Sequence, residues 1–382
     1  MPRTFDILSY AFRPFFLLTS LSGILLVSLW VLSLNGLRTL PTSMPPPYWH
    51  GHEMLVGFVM ATIAGFTLSA VATWTGRPPL SGRPLAWLIV AWAAGRIAMY
   101  SVDSLPAGGV FLLDMWFPLS LCYLFAREVF AARNRRNYKV VAIIFALAGA
   151  NAAFHLVAPG QALYLLIHTV GLLVALIGGR IIPSFTANWL RGQGATQLPS
   201  TNTLIDRMAI TLTIVVGIAA TLIPAQPPGA YLAFLAALLH ALRVSRWHGL
   251  QTTRNPLLFI LHVAYWWLPV SYFMMGAASL GIGFTPSAAL HAFTMGAIGT
   301  MVLAMLTRVP LGHTGRALHA SRLTVGAYAF LTLAVLSRIL GDTLPGEYLT
   351  LIDLAAFAWC LALALFTWAY WPVLTRPPAA TD

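Results

Sequence analysis

Ten histidines are spread through this 382-residue chain, and several fall inside strongly apolar stretches. Neutral imidazole is the commonest protein ligand for copper, zinc and haem iron, so the spacing of these residues bounds the chemistry they can share. The densest run is Trp49-His50-Gly51-His52-Glu53. Two histidines two apart at the opening of a helix point to different sides, so only one of them faces a bundle interior. Glu53 beside them could ligate a metal, orient an imidazole or carry protons. His168 follows His52 by 116 residues, and His291 follows His168 by 123. His240 and His262 form a second set, and Arg96, Arg338, Asp114 and Asp353 are the isolated charges of the apolar runs. The two cysteines, Cys122 and Cys360, exclude Cys-built zinc or iron–sulfur sites, and no C-x-x-C-H run attaches a c-type haem.

The elements that must position these residues follow from composition. Apolar residues make up 59% of the chain and charged residues 8%, which leaves no surface compatible with water. An ordinary soluble enzyme, a disordered protein and a secreted disulfide scaffold are thereby excluded. A helix needs roughly 20 apolar residues to cross the hydrocarbon of a bilayer. Twelve segments qualify, approximately 15–34, 53–74, 85–101, 109–129, 139–157, 161–182, 204–223, 229–245, 256–277, 286–307, 322–340 and 347–371; the third and eighth are the shortest. No secretory signal is expected at the N-terminus. With the N-terminus inside, all Lys and Arg residues but Arg38, Arg96 and Arg338 fall on the cytoplasmic side. The net charge of +12 therefore reports orientation, with both termini cytoplasmic, and gives no reason to expect a nucleic-acid partner.

On this topology His50, His52, His155, His168 and His291 map to the outer half, and His240 and His262 to the inner half. His155, at a helix end, reads as an ordinary interfacial residue, as do His248, His313 and His319 in loops. His52 opens helix 2, His168 lies about two turns into helix 6 and His291 about one turn into helix 10, so the three share a depth in the outer half. The interval of one four-helix unit suggests an internal repeat. In helix 2, His52 is followed by Gly57 and by Thr75-Gly76-Arg77; in helix 10, His291 is followed at the same offsets by Gly296 and by Thr314-Gly315-Arg316. Helix 6 keeps the histidine and Gly178-Gly179-Arg180 without that spacing. The chain thus reads as a single all-α polytopic membrane domain over 1–382, with approximate four-helix units 1–135, 136–250 and 251–382. This layout resembles the haem–copper oxidases, in which helices 2, 6 and 10 carry metal ligands. Helix 7 here lacks a histidine, so their three-histidine copper site is not carried over.

His50, His52, His168 and His291 are accordingly the candidate metal ligands. His240 and His262, at matching depth on consecutive antiparallel helices, suit bis-imidazole ligation of a b-type haem, the alternative being a hydrogen-bonded core pair. Arg96 and Arg338 either pair with Asp114 and Asp353 or anchor haem propionates. Glu53, Asp114 or Asp353 could deliver protons.

The chain also resembles the NnrS family of bacterial inner-membrane proteins. The likeness runs through Ala11-Phe12-Arg13-Pro14-Phe15-Phe16, Trp49-His50-Gly51-His52-Glu53-Met54, Trp74-Thr75-Gly76-Arg77-Pro78-Pro79, Gly178 to Thr186, Asn188-Trp189, and from His291 to Leu311-Gly312-His313-Thr314-Gly315-Arg316. It implies a protein that binds haem and copper and is linked to the nitric oxide response, with an unspecified electron donor and no settled reaction. An oxidoreductase acting on nitric oxide, a non-catalytic sensor or sequestration protein, and a twelve-helix transporter remain distinct readings. The four-helix period favours the first two, because carriers usually repeat six plus six.

Overall fold

The computed structural model describes residues 7–41, 43–223, 226–344 and 346–377, and every regular element among them is helical. Twelve long helices follow in order: α1 (Phe12–Leu34), α2 (Pro46–Thr75), α3 (Arg83–Tyr100), α4 (Ala107–Ala131), α5 (Tyr138–Leu156) and α6 (Pro159–Gly192). The second half holds α7 (Thr203–Leu222), α8 (Pro227–Ser245), α9 (Pro256–Ser279), α10 (Pro286–His313), α11 (Arg322–Gly341) and α12 (Tyr348–Thr375). Eleven are long and apolar enough to cross a membrane, which makes this a multi-pass membrane protein. The exception is α3, whose 18 residues include Arg83 and Arg96.

Two compact units divide the chain. Unit 1 comprises residues 1–166, 305–318 and 363–382, and unit 2 comprises 167–304 and 319–362. Within unit 1, α2 packs on α1 and α4, and α4 also packs on α3 and α5. Within unit 2, α8 packs between α7 and α9, and α9 meets α10. Short connections make sequential helices into neighbours.

Two helices depart from their expected limits, each for a local reason. α2 begins at Pro46, not near residue 53, so His50 and His52 lie inside the helix. Proline lacks an N–H, and the first turn of a helix has no acceptor for one, so Pro46 and Pro47 start the helix and do not block it. α6 was expected to end near 182 but continues to Gly192, through Gly178, Gly179 and Pro183. At 34 residues it is about 50 Å long, well beyond the hydrocarbon thickness.

The repeat between helices 2 and 10 extends to backbone conformation. Directly after His52, residues Glu53–Val59 form a wide π-type turn, and directly after His291, residues Ala292–Gly299 do the same. Such turns widen the ring of backbone hydrogen bonds and leave carbonyls available to side chains. In unit 1 the indole Nε1 of Trp92 donates to the Gly57 carbonyl at 2.9 Å. In unit 2 the Trp267 ring packs against the equivalent glycine, Gly296. The far ends match as well: Thr75 Oγ1 donates to the Val71 carbonyl and Thr314 Oγ1 to the Pro310 carbonyl, each at 2.6 Å. Gly76 and Gly315 then turn the chain at φ 68° and 66°. A Cβ is strained in that left-handed conformation, so Gly76→Ala and Gly315→Ala should each cost about 1 kcal/mol. Thermal unfolding in detergent would show this as two similar decreases in Tm.

Candidate metal centre

Unit 1 gathers a buried polar cluster from four helices. His52 and Glu53 come from α2, Arg96 from α3, Asp114 from α4, and Asn151 and His155 from one face of α5 at i, i+4 spacing. His52 Nδ1 lies 3.1 Å from Glu53 Oε1. Its Nε2 lies 2.8 Å from Asn151 Oδ1 and 3.2 Å from Asp114 Oδ2. That same Asp114 oxygen accepts from Asn151 Nδ2 at 2.7 Å and meets His155 Nε2 at 2.9 Å. Arg96 bridges the two acids, donating from Nη1 to Glu53 Oε1 at 2.6 Å and from Nη2 to Asp114 Oδ1. Phe154 covers the His52 ring at 4.4 Å between centroids, and Phe111 packs edge-on against His155. The ligand atoms of His52, Asp114 and His155 all lie within 4.8 Å of one another, the one such group of three among the described residues.

The expected pairing of Arg96 with Asp114 is present. His155, expected to be an ordinary interfacial residue, belongs to the cluster. The signal for it was the Asn151-x-x-x-His155 spacing inside an apolar helix. His50 lies two residues from His52, about 200° round the helix, and its ring stacks on Trp30 at 4.5 Å.

Unit 2 holds His168, His240, His262 and His291. His168 on α6 is 4% exposed, and neither of its nitrogens has a hydrogen-bond partner among the described residues. It packs against the Phe293 and Tyr272 rings and close over Gly217, where a Cβ would lie 2.8 Å from its own Cβ. His291 on α10 donates from Nδ1 to the Ser287 carbonyl at 2.8 Å. This fixes its tautomer and leaves the Nε2 lone pair without a partner among the described residues. Arg338 pairs with Asp342 at 2.7 Å and donates to Ser287 Oγ at 3.0 Å, whereas Asp353 is exposed on α12.

His240 and His262 are engaged differently. Arg243 of α8 lies on the α6 backbone, where Gly179 leaves room for its guanidinium, and donates to the Ala175 carbonyl, Asp206 Oδ1 and Tyr265 Oη. A guanidinium only donates, so the Tyr265 hydroxyl hydrogen is free for His240 Nδ1 at 3.0 Å. His240 Nε2–H then meets Thr213 Oγ1 at 2.9 Å, and Thr213 donates on to the Ala209 carbonyl. His262 Nε2 meets Thr186 Oγ1 at 2.9 Å in the same way, and Thr186 donates to the Ile182 carbonyl. Thr213, Tyr265, Arg243 and Asp206 carried no sequence signal, because the network joins residues of three helices, α7, α8 and α9.

A haem iron or copper ion needs an imidazole nitrogen with an available lone pair. His168 and His291 meet that demand, and His262 meets it at Nδ1, which has no partner among the described residues. His240 does not, since both of its nitrogens are hydrogen-bonded; ligation through Nε2 at this pair requires displacing Thr213 and Thr186.

The family model described as NnrS protein matches residues 6–377. No curated protein matches the chain significantly.

Arg96 is the counter-charge to two buried acids, so Arg96→Met should destabilise unit 1 by about 3–5 kcal/mol. Arg96→Lys should not restore it, because one ammonium lacks the planar fork that reaches both carboxylates. Thermal unfolding of the detergent-solubilised variants tests both expectations.

Proposed function

Because this chain belongs to the NnrS family, we propose that it is a haem- and copper-binding protein of the bacterial inner membrane that acts on nitric oxide in the nitric oxide response. The observation that carries this reading is His168. A buried imidazole has an N–H and a lone pair to satisfy, and leaving a buried polar group unpaired costs about 1–3 kcal/mol. His168 Nδ1 is buried with no hydrogen-bond partner among the described residues, and the ring sits in an aromatic surround. His291 supports the same reading, with Nδ1 held on a carbonyl and Nε2 presented, the usual state of a metal-ligating histidine.

When bound, such a centre supplies one-electron chemistry and an open position for a diatomic ligand. The chain's own contribution is orientation and shielding. Gly217 lets α7 approach the His168 backbone, and Phe293 and Tyr272 keep water from its ring. Ser287 sets the His291 ring, and Arg338 holds the Ser287 hydroxyl while paired with Asp342. Both termini lie on the cytoplasmic side in this reading, and an external donor supplies electrons.

Purified full-length protein, expressed with ample haem, should show b-type haem in a reduced pyridine spectrum and copper by elemental analysis. His168→Ala should lose metal or haem while remaining monodisperse. Absence of both haem and copper from the wild type would sink the proposal. Stopped-flow mixing of the reduced protein with excess nitric oxide then separates its two forms. Sustained consumption means reduction, and one bound equivalent means sequestration.

A further inference from the structure

We infer that unit 1 carries a separate non-haem metal centre, a ferrous iron held by His52, Asp114 and His155. This inference stands on the unit 1 cluster and does not require haem or copper elsewhere in the chain.

The first ground is charge. Glu53 and Asp114 are 1% and 0% exposed, and among the described residues Arg96 is the one guanidinium bonded to them. Two carboxylates and one guanidinium leave a net negative charge in a region of low dielectric, which demands a further positive charge nearby.

The second ground is where that charge must sit. His52 faces acceptors on both sides, Glu53 Oε1 at Nδ1 and both Asn151 Oδ1 and Asp114 Oδ2 at Nε2. A neutral imidazole has one N–H, so one of its lone pairs points at an oxygen. His155 Nε2 points at the same Asp114 oxygen. A protonated His52 would answer both demands by donating at each nitrogen; a cation bound to the two Nε2 atoms and Asp114 Oδ2 answers them as well, and the convergence of three ligand atoms within 4.8 Å of one another favours it. His52 Nδ1–H then donates to Glu53, which Arg96 fixes from the other side. A ligating histidine whose second nitrogen donates to a carboxylate is the recurring outer-shell arrangement of metal sites. Glu53 is therefore a positioning residue here.

The third ground is donor chemistry. Two imidazoles and one carboxylate, with the Asn151 amide oxygen beside them, form a nitrogen–oxygen set without thiolate. Met115 Sδ is already taken by Asn151 Nδ2 at 3.4 Å. Soft cuprous copper favours sulfur, whereas two histidines and a carboxylate with open positions suit ferrous iron.

Full-length protein in detergent, stripped by chelation, is titrated anaerobically with Fe(II), Cu(I) and Zn(II) in separate samples. Non-haem iron is total iron by elemental analysis less haem iron by the pyridine spectrum. We expect one non-haem iron per chain, lost in His155→Ala, and about 10–100-fold weaker iron binding in Glu53→Gln. Nitric oxide added to the iron-loaded protein should give a half-integer-spin signal by electron paramagnetic resonance that His155→Ala lacks. Gel filtration confirms that the variant is folded; His155→Gln replaces it if the alanine form aggregates. The inference is overturned if the wild type takes up no non-haem iron, if His155→Ala and His155→Gln bind it undiminished, or if copper fills the site in preference to iron. The haem count from the same samples bears only on the wider functional reading.

Discussion

The placement of one guanidinium constrains unit 1 more than any other contact. Arg96 joins a carboxylate from α2 to a carboxylate from α4, and those acids reach the imidazoles of α2 and α5. Charges at this depth are tolerable only when paired, so four helices must arrive in register before any of these groups can be buried. Apolar contacts between helices are interchangeable in lipid, where side chains and acyl tails are much alike. The ionic cluster is not interchangeable, and it therefore specifies which faces meet.

Unit 2 buries its polar groups by another route. The hydrogens run one way, from Arg243 through Tyr265 and His240 to Thr213 and the Ala209 carbonyl, and Asp206 balances the guanidinium. Each group in that series has its donors and acceptors used. His168, His262 and His291 break the pattern, because each keeps a nitrogen without a hydrogen-bond partner among the described residues. Of these four histidines His240 alone has both nitrogens hydrogen-bonded.

Much of this was legible before the structure. Apolar runs locate all twelve long helices, since crossing lipid demands length and the chain has few charges to spare. The Arg96–Asp114 pair was legible because isolated membrane charges need each other. Local chemistry was the harder part. Three prolines before Tyr48 look like a stop but start α2, and Gly178-Gly179 looks like an exit from α6 but is the floor on which Arg243 rests. His155 was undervalued because its worth depends on Asp114 and His52, which lie on other helices. The matched offsets in helices 2 and 10 pointed to a repeat, yet nothing in residue type announced the wide turns.

Those wide turns have a consequence for how the two helices are read along their length. Each residue of an α-helix advances the face by about 100°, and a π-type turn shifts that count relative to a regular helix. The stretch after Val59 and the stretch after Gly299 therefore present faces out of phase with the histidine that precedes them. Ligand end and packing end of each helix are set by separate angular origins, so one helix can serve a polar centre at its mouth and a lipid-like core beyond it.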